Sequence, residues 1–275
     1  MKRGLISTII FVLFLIVNAG ANEYNVIPRP KQLVAKESVF QLSPKTVIYY
    51  SEGLEKHAQM LNAYLRNAIG YQLILKEGKK LKPGSILLKC DPSLTRQEAY
   101  RLRVTKEGVE ITAADGKGIF YGIQTLRQLF PPEVFSTTRV WEREVWSVPC
   151  VEIYDEPQFA WRGMMLDVAR YFLSLDYVKR YIDIMSTYKM NVLHFHLVDD
   201  SGWRLEIKKY PKLTEIGAFN GEGEKKSGGF YTQEDLRELV KYAAERNVTI
   251  VPEIEFPAHI LSAVSAYPWL SCRGE

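Results

Sequence analysis

The sequence predicts an α/β protein: a small α+β domain followed by parallel strands alternating with helices. Two observations carry this. From Arg162 to Glu206 the chain reads strand, helix, strand, and each strand closes in polar residues that do not belong in a core. Met164, Met165, Leu166 and Val168 lead to Asp167 and Arg170, and Asn191 to Val198 breaks into Asp199, Asp200, Ser201 and Gly202. Strands that shed charge at their carboxyl ends are how parallel α/β scaffolds build sites. The second observation is a change of pattern: strand–helix alternation starts only near residue 157, and the preceding half has short strands and two helical periods in another order.

Taken in chain order, residues 1–21 read as an export signal. Lys2 and Arg3 form a positive start, Leu5 to Val17 is mostly apolar, and Ala19-Gly20-Ala21 offers small residues for cleavage. That apolar run is shorter than the ~20 residues a membrane span needs. The mature chain is therefore expected to be exported, periplasmic or extracellular, with no membrane span after cleavage. The segment with Pro28 and Pro30 is expected to be extended, and Val47 to Tyr50 to be a strand. Leu54, Ala58, Leu61, Leu65 and Ile69 recur at a helical period that Gly70 ends. Leu73 to Leu75 and Ile86 to Leu88 read as strands. Tyr100 to Val104 and Val109 to Thr112 read as a hairpin around Lys106-Glu107-Gly108. The stretch DGKGIFYGIQTLRQLF is a helix entered through Gly116 and Gly118 and stopped by Pro131-Pro132; its glycine spacing is not that of a nucleotide loop. Residues 133–150 look like a linking strand or loop. Leu175 to Tyr188 is then a helix, Gly221 to Gly229 a charged loop, and Thr232 to Arg246 a helix with Thr232 as cap and Asp235 three residues in. Val248 to Ile254 is a buried strand, with Glu253, Glu255 and His259 at its end. The expected division is 1–21 signal, 22–150 α+β domain, 151–275 strand–helix repeats, which fit either a barrel or an open parallel sheet.

Composition narrows the class. Apolar and charged fractions of 47% and 25% are those of an ordinary globular protein rather than a disordered one. The net charge of +4 falls by the two charges of Lys2 and Arg3 once the signal is removed. Basic residues are scattered with no aromatic-basic strip, so nucleic acid is not an expected partner. The three cysteines, Cys90, Cys150 and Cys272, fit no zinc spacing, and the odd number leaves at least one unpaired.

Several side chains could carry chemistry. Arg170, buried near carboxylates, would be a rigid fork suited to vicinal hydroxyls, or else a structural ion pair. Asp199 and Asp200 cannot both aim the same way; one faces the site and the other supports the loop or caps the next helix. His194 and His196, two apart on one strand, invite a metal reading, against which stands a pair of core histidines satisfied by nearby acids. His259, after a strand carrying Glu253 and Glu255, is placed to be held by a carboxylate and to tune an acid. Trp203 and Trp269 could stack on sugar faces or pack in a core.

Together these segments resemble glycoside hydrolase family 20, the β-N-acetylhexosaminidases. The resemblance rests on RGMMLDVARYFLSLDYVKRYIDIMSTYKMNVLHFHLVDDSGWRLEI and GGFYTQEDLRELVKYAAERNVTIVPEIEFPAH, and in the small domain on IPRPKQL and DGKGIFYGIQTLRQLF. It implies an N-terminal α+β domain followed here by the first part, about three strands, of a (β/α)8 TIM barrel. It implies hydrolysis of terminal N-acetylglucosamine or N-acetylgalactosamine with retention, the substrate's own acetamide oxygen acting as nucleophile, and no cofactor or metal. By position Arg170 resembles the arginine that grips the C3 and C4 hydroxyls, Asp199 the acid that pairs with the family's histidine, and His259 that histidine. Glu255 stands where the family often has Asp, among the substrate-binding residues, and Ala258 where it usually has Gly. The family's adjacent catalytic Asp-Glu follows a fourth strand; nothing after His259 matches it, so the 275 residues read as the N-terminal portion of such an enzyme, expected to be inactive alone. The alternatives are a non-catalytic carbohydrate-binding protein and a metal-dependent barrel hydrolase on His194 and His196.

Overall fold

The computed structural model describes residues 24–221 and 227–274. The export-signal reading, residues 1–21, lies outside the described residues, as does most of the charged loop. No described helix is long and apolar enough to cross a membrane.

The first half is a seven-stranded sheet with two helices on it. Its strands are β1 (Gln32–Leu42), β2 (Val47–Tyr50), β3 (Ile74–Glu77), β4 (Ser85–Cys90), β5 (Tyr100–Thr105), β6 (Gly108–Ala113) and β7 (Trp146–Asp155), in the order β1-β7-β5-β6-β4-β2-β3. Helix α1 (Glu55–Ile69) buries Ala58, Leu61, Leu65, Ala68 and Ile69 and ends at Gly70, whose φ of 80° only glycine adopts without strain. Helix α2 (Gly116–Leu129) starts at Asp115, whose carboxylate accepts from the Gly118 amide at 2.8 Å. A Cβ at Gly118 would lie 2.5 Å from the Ala99 carbonyl oxygen, so glycine there is what lets the helix settle onto the sheet. Almost all of α2 is buried, because it lies between the sheet and the second half.

Two strands differ from the sequence reading. β1 carries Lys36, Glu37 and Ser38 in its centre, where a bulge breaks the register with β7 between Ala35 and Val39. Most of its side chains are exposed, so it lacks the period of a core strand. The segment read as a linking strand or loop ends in β7, which runs to Asp155 and pairs with both β1 and β5.

The second half holds β8 (Gly163–Asp167), α3 (Leu175–Thr187), β9 (Val192–His196), two short pairs β10 (Val198–Asp199) with β11 (Gly202–Trp203) and β12 (Phe219–Asn220) with β13 (Ser227–Gly228), helix α4 (Lys212–Glu215), helix α5 (Gln233–Ala244), β14 (Thr249–Glu253) and helix α6 (Leu261–Ala266). β14, β9 and β8 form a parallel three-stranded sheet in that order. Period-two alternation sends Leu193 and Phe195 into a core with Val178, Ile182, Met185, Leu239 and Ala243 of the helices. The opposite face carries His194 and His196. Helix α5 has the full capping box: the Asp235 amide donates to Thr232 Oγ1 at 3.1 Å, and the Thr232 amide donates to Asp235 Oδ2 at 2.8 Å.

Two cations join the halves, Lys189 buried and Arg162 half-buried. Lys189 Nζ, just past α3, donates to Asp155 Oδ2 and to Tyr100 Oη, both at 2.8 Å. Arg162 donates to Glu98 at 2.8 Å, to Tyr121 Oη at 3.1 Å and to the Lys189 carbonyl at 2.7 Å. Cys150 is buried, Cys90 and Cys272 are exposed, and all three are free thiols.

Candidate active site at the carboxyl ends of the parallel strands

Strand register assembles the site. Asp167 of β8, His196 of β9 and Glu253 of β14 are in register across the sheet, at the carboxyl end of each strand. Beyond that row the chain turns outward, and there Arg170, Asp199 and His259 meet.

Asp199 is the centre. It is 3% exposed, while Asp200 beside it is exposed. Arg170 Nη2 lies 2.7 Å from Asp199 Oδ2, and His259 Nδ1 lies 3.6 Å from Asp199 Oδ1. The other nitrogen of the fork, Arg170 Nη1, donates to Asp167 Oδ2. Arg170 is therefore held by two carboxylates with its outer part in solvent, and one of the two is a buried acid. Asp200 takes the other role expected of the pair: its Oδ1 accepts from the Leu261 amide at 3.0 Å, satisfying a free donor at the start of α6. His259 has a φ of 57°, a left-handed conformation uncommon outside glycine that turns the chain back at this point.

Arg170 perturbs Asp167. Burial pushes the Asp167 carboxyl up, but the hydrogen bonds from Arg170 outweigh it, so the group lies below the ordinary carboxylate value. A carboxyl depressed in the folded state stabilises it above the unfolded pKa, about 3.9, and that contribution is lost as pH falls through the folded value. Arg170→Gln is thus expected to flatten the fall of Tm below about pH 4. An acid limb identical to that of the parent chain would show that the Arg170–Asp167 pair does not form in solution.

Glu255 stands beside Glu253 rather than against Asp199. Its hydrogen bond to Glu253 and the neighbouring negative charge raise its carboxyl above the ordinary range. Glu253 is pushed up by burial, yet the Glu255 hydrogen bond and the two histidines bring it down overall. His194 Nε2 touches Glu253 Oε2, and His196 Nδ1 lies 3.7 Å from the same oxygen. The four residues expected from sequence thus divide into Arg170–Asp199–His259 and a neighbouring group that includes Glu255.

Sequence reasoning missed Arg204. Its side chain is 1% exposed and faces backbone carbonyls: Nε donates to Val168 at 3.0 Å, Nη2 to Ala169 at 2.7 Å, and Nη1 to Ala218 and Gly229. It ties the turn that carries Arg170 to the β12–β13 hairpin. Gly202 makes room, because a Cβ there would lie 2.2 Å from the Arg204 guanidinium carbon. A glycine two residues before an arginine in an apolar run was the available signal. Asp167 and Glu253 were visible as charges at strand ends, but register alone gives them partners. A cavity of about 480 Å³ opens beside Arg170, lined also by Tyr171, Phe172, Ser201, Arg204 and Asn220. The arrangement offers a cationic fork at a cavity mouth and an acid–imidazole couple next to it, suited to gripping hydroxyls and steering a proton.

The model of the glycosyl hydrolase family 20 catalytic domain matches residues 159–275, and that of domain 2 of the same family matches residues 23–156. A β-hexosaminidase of Porphyromonas gingivalis is 45% identical over 90% of this chain and 32% of its own length. The solved family 20 β-N-acetylhexosaminidase of Streptomyces coelicolor is 39% identical with a TM-score of 0.83, covering 90% of this chain and 50% of that one. A mutant Streptomyces plicatus β-hexosaminidase in complex with its product N-acetylglucosamine is 38% identical with a TM-score of 0.82, covering 90% and 49%. The chain spans a third to a half of the length of these relatives.

Proposed function

Because the chain belongs to glycosyl hydrolase family 20, with residues 23–156 and 159–275 matched by two of its family models, we propose that it supplies the sugar-gripping half of a β-N-acetylhexosaminidase. The substrate is a terminal N-acetylglucosamine or N-acetylgalactosamine of a glycan or chitooligosaccharide. Arg170 donates to the sugar's C3 and C4 hydroxyls, for which its planar fork is suited. Glu255 also contacts the sugar. Asp199 holds His259, and His259 tunes a carboxylic acid that protonates the leaving oxygen. As that bond breaks, the acetamide oxygen attacks C1 from the opposite face to give an oxazolinium ion; water then attacks C1 from the face the leaving group left, breaking the C1–acetamide bond and giving its proton to the carboxylate, so configuration is retained. This substrate-assisted route is an exception to the two-carboxylate scheme. The acid and the carboxylate that orients the acetamide come in this family from an adjacent Asp-Glu after a fourth barrel strand. Among the described residues the parallel sheet has three strands, and the adjacent Asp155-Glu156 lies at the end of β7 rather than after one of them. The charged and apolar start of the sequence supports export to the periplasm or the medium.

The observation that carries the reading is Asp199: one buried carboxylate with Arg170 at 2.7 Å on one oxygen and His259 at 3.6 Å on the other. Hydrolysis of a chromogenic N-acetylglucosaminide tests it. The 275 residues alone are expected to release no chromophore. Joined to the C-terminal half of the Streptomyces coelicolor enzyme they are expected to do so, and Arg170→Ala in that hybrid to lower kcat/KM by about a hundredfold or more, the loss of charge-assisted hydrogen bonds. Turnover by the 275 residues alone, or an Arg170→Ala hybrid as active as its parent, contradicts the proposal.

A further inference from the structure

We infer that His196, Glu253 and Glu255, with His194 beside them, form a binding site for one divalent cation of the zinc class. The inference rests on acceptors that face one another. His196 is 6% exposed, and its Nε2 lies 2.8 Å from the Val198 carbonyl oxygen. A carbonyl only accepts, so Nε2 carries a proton, and in the neutral form of the ring the lone pair is then at Nδ1. That Nδ1 is buried and meets no hydrogen-bond donor. It faces Glu253 Oε2 at 3.7 Å, a buried oxygen that His194 Nε2 also touches. Glu255 brings a second carboxylate against Glu253. A proton joins the two acids, but the buried His196 Nδ1 is left without a donor, which a cation bound there would satisfy.

A cation fits the group better than a proton. One donor atom each from His196, Glu253 and Glu255 lie within 4.8 Å of one another. Ligands at about 2.0–2.2 Å from a zinc ion lie up to about 4 Å apart, so small side-chain rotations close the site. His194 Nε2, already against Glu253, is at hand as a fourth ligand. A ligating histidine usually donates its other ring N–H to a carbonyl or carboxylate, and His196 already does so to Val198. Two imidazoles with two carboxylates favour zinc, cobalt or nickel over magnesium or calcium, and two carboxylates balance the charge of +2. His194 and Glu255 are only half-buried, which leaves an approach from solvent. The inference does not depend on the glycosidase reading, which gives His194, His196 and Glu253 no role and shares only Glu255 with it.

The test is zinc content after the purified 275-residue chain is dialysed against micromolar zinc chloride. About one zinc per chain is expected, with affinity falling at least tenfold in Glu255→Gln and in His196→Asn. Glu255→Gln is a change near the surface and keeps the result interpretable if His196→Asn fails to fold. Asp200→Asn separates this site from the neighbouring Asp199–Asp200–His259 group, and is expected to bind as the parent chain does. A parent chain that binds no zinc, or zinc retained by Glu255→Gln, or zinc lost in Asp200→Asn alone, overturns the proposal.

Discussion

Arg204→Ala is expected to cost about 3–5 kcal/mol, the range for removing one partner of a buried charged hydrogen-bond group. The guanidinium donates to four carbonyls, of Val168, Ala169, Ala218 and Gly229, and truncation leaves the buried ones among them unpaired. Arg204→Lys is expected to recover little, because a single ammonium on a flexible stem cannot reach both the Val168–Ala169 turn and the β12–β13 hairpin. Denaturant unfolding of both variants measures the effect. A midpoint within about 0.5 kcal/mol of the parent value would place these bonds among the dispensable ones. The loss should be felt first at Arg170, because its turn is what Arg204 anchors.

The second large effect is expected at the junction of the halves. Lys189→Met leaves the Asp155 carboxylate mostly buried with only the Tyr100 hydroxyl and the Lys31 amide as partners and no cation, and is expected to destabilise by about 3 kcal/mol or more. Burial lowers the pKa of the Lys189 ammonium, and Asp155 offsets part of that shift. The penalty is therefore mainly that of an abandoned carboxylate. Lys189→Met combined with Asp155→Leu is expected to recover most of it, since a buried ion pair and a well-packed apolar pair are often nearly equal in stability. If the double variant is as unstable as the sum of the single ones, the two side chains do not act as a pair.

The helices and the parallel strands were legible because burial and period agree in them. α1, α3 and α5 each put their apolar residues on one face, and β8, β9 and β14 are short apolar runs ending in charge. β1 was not legible: QLVAKESVFQL has polar residues at its middle because that part is exposed and bulged, and its pairing with β7 lies more than a hundred residues away in sequence. The candidate site shows the same division. Asp199, Arg170 and His259 could be picked out as polar residues at strand ends. The resemblance paired Asp199 with His259, but the hold of Arg170 on both Asp199 and Asp167 was not legible, because it depends on the register that sets Asp167, His196 and Glu253 in one row. Glu255 was drawn to the site by its likeness to a family position, whereas its contact is with Glu253. Arg204 and Lys189 were invisible for a common reason. A lone cation in an apolar stretch reads as a surface residue until the carbonyls or the carboxylate that surround it come from distant parts of the chain.

A titration of the 275-residue chain with N-acetylglucosamine, followed by NMR at the Arg170 guanidinium and the His259 imidazole, tests the sugar site most directly. At about −0.3 kcal/mol per non-hydrogen atom a monosaccharide is expected to bind in the millimolar range. Saturable shifts at both groups, lost in Arg170→Ala, are expected. Shifts confined to other parts of the chain, or none at either group at sugar concentrations well above that range, would contradict a sugar site at the ends of these strands.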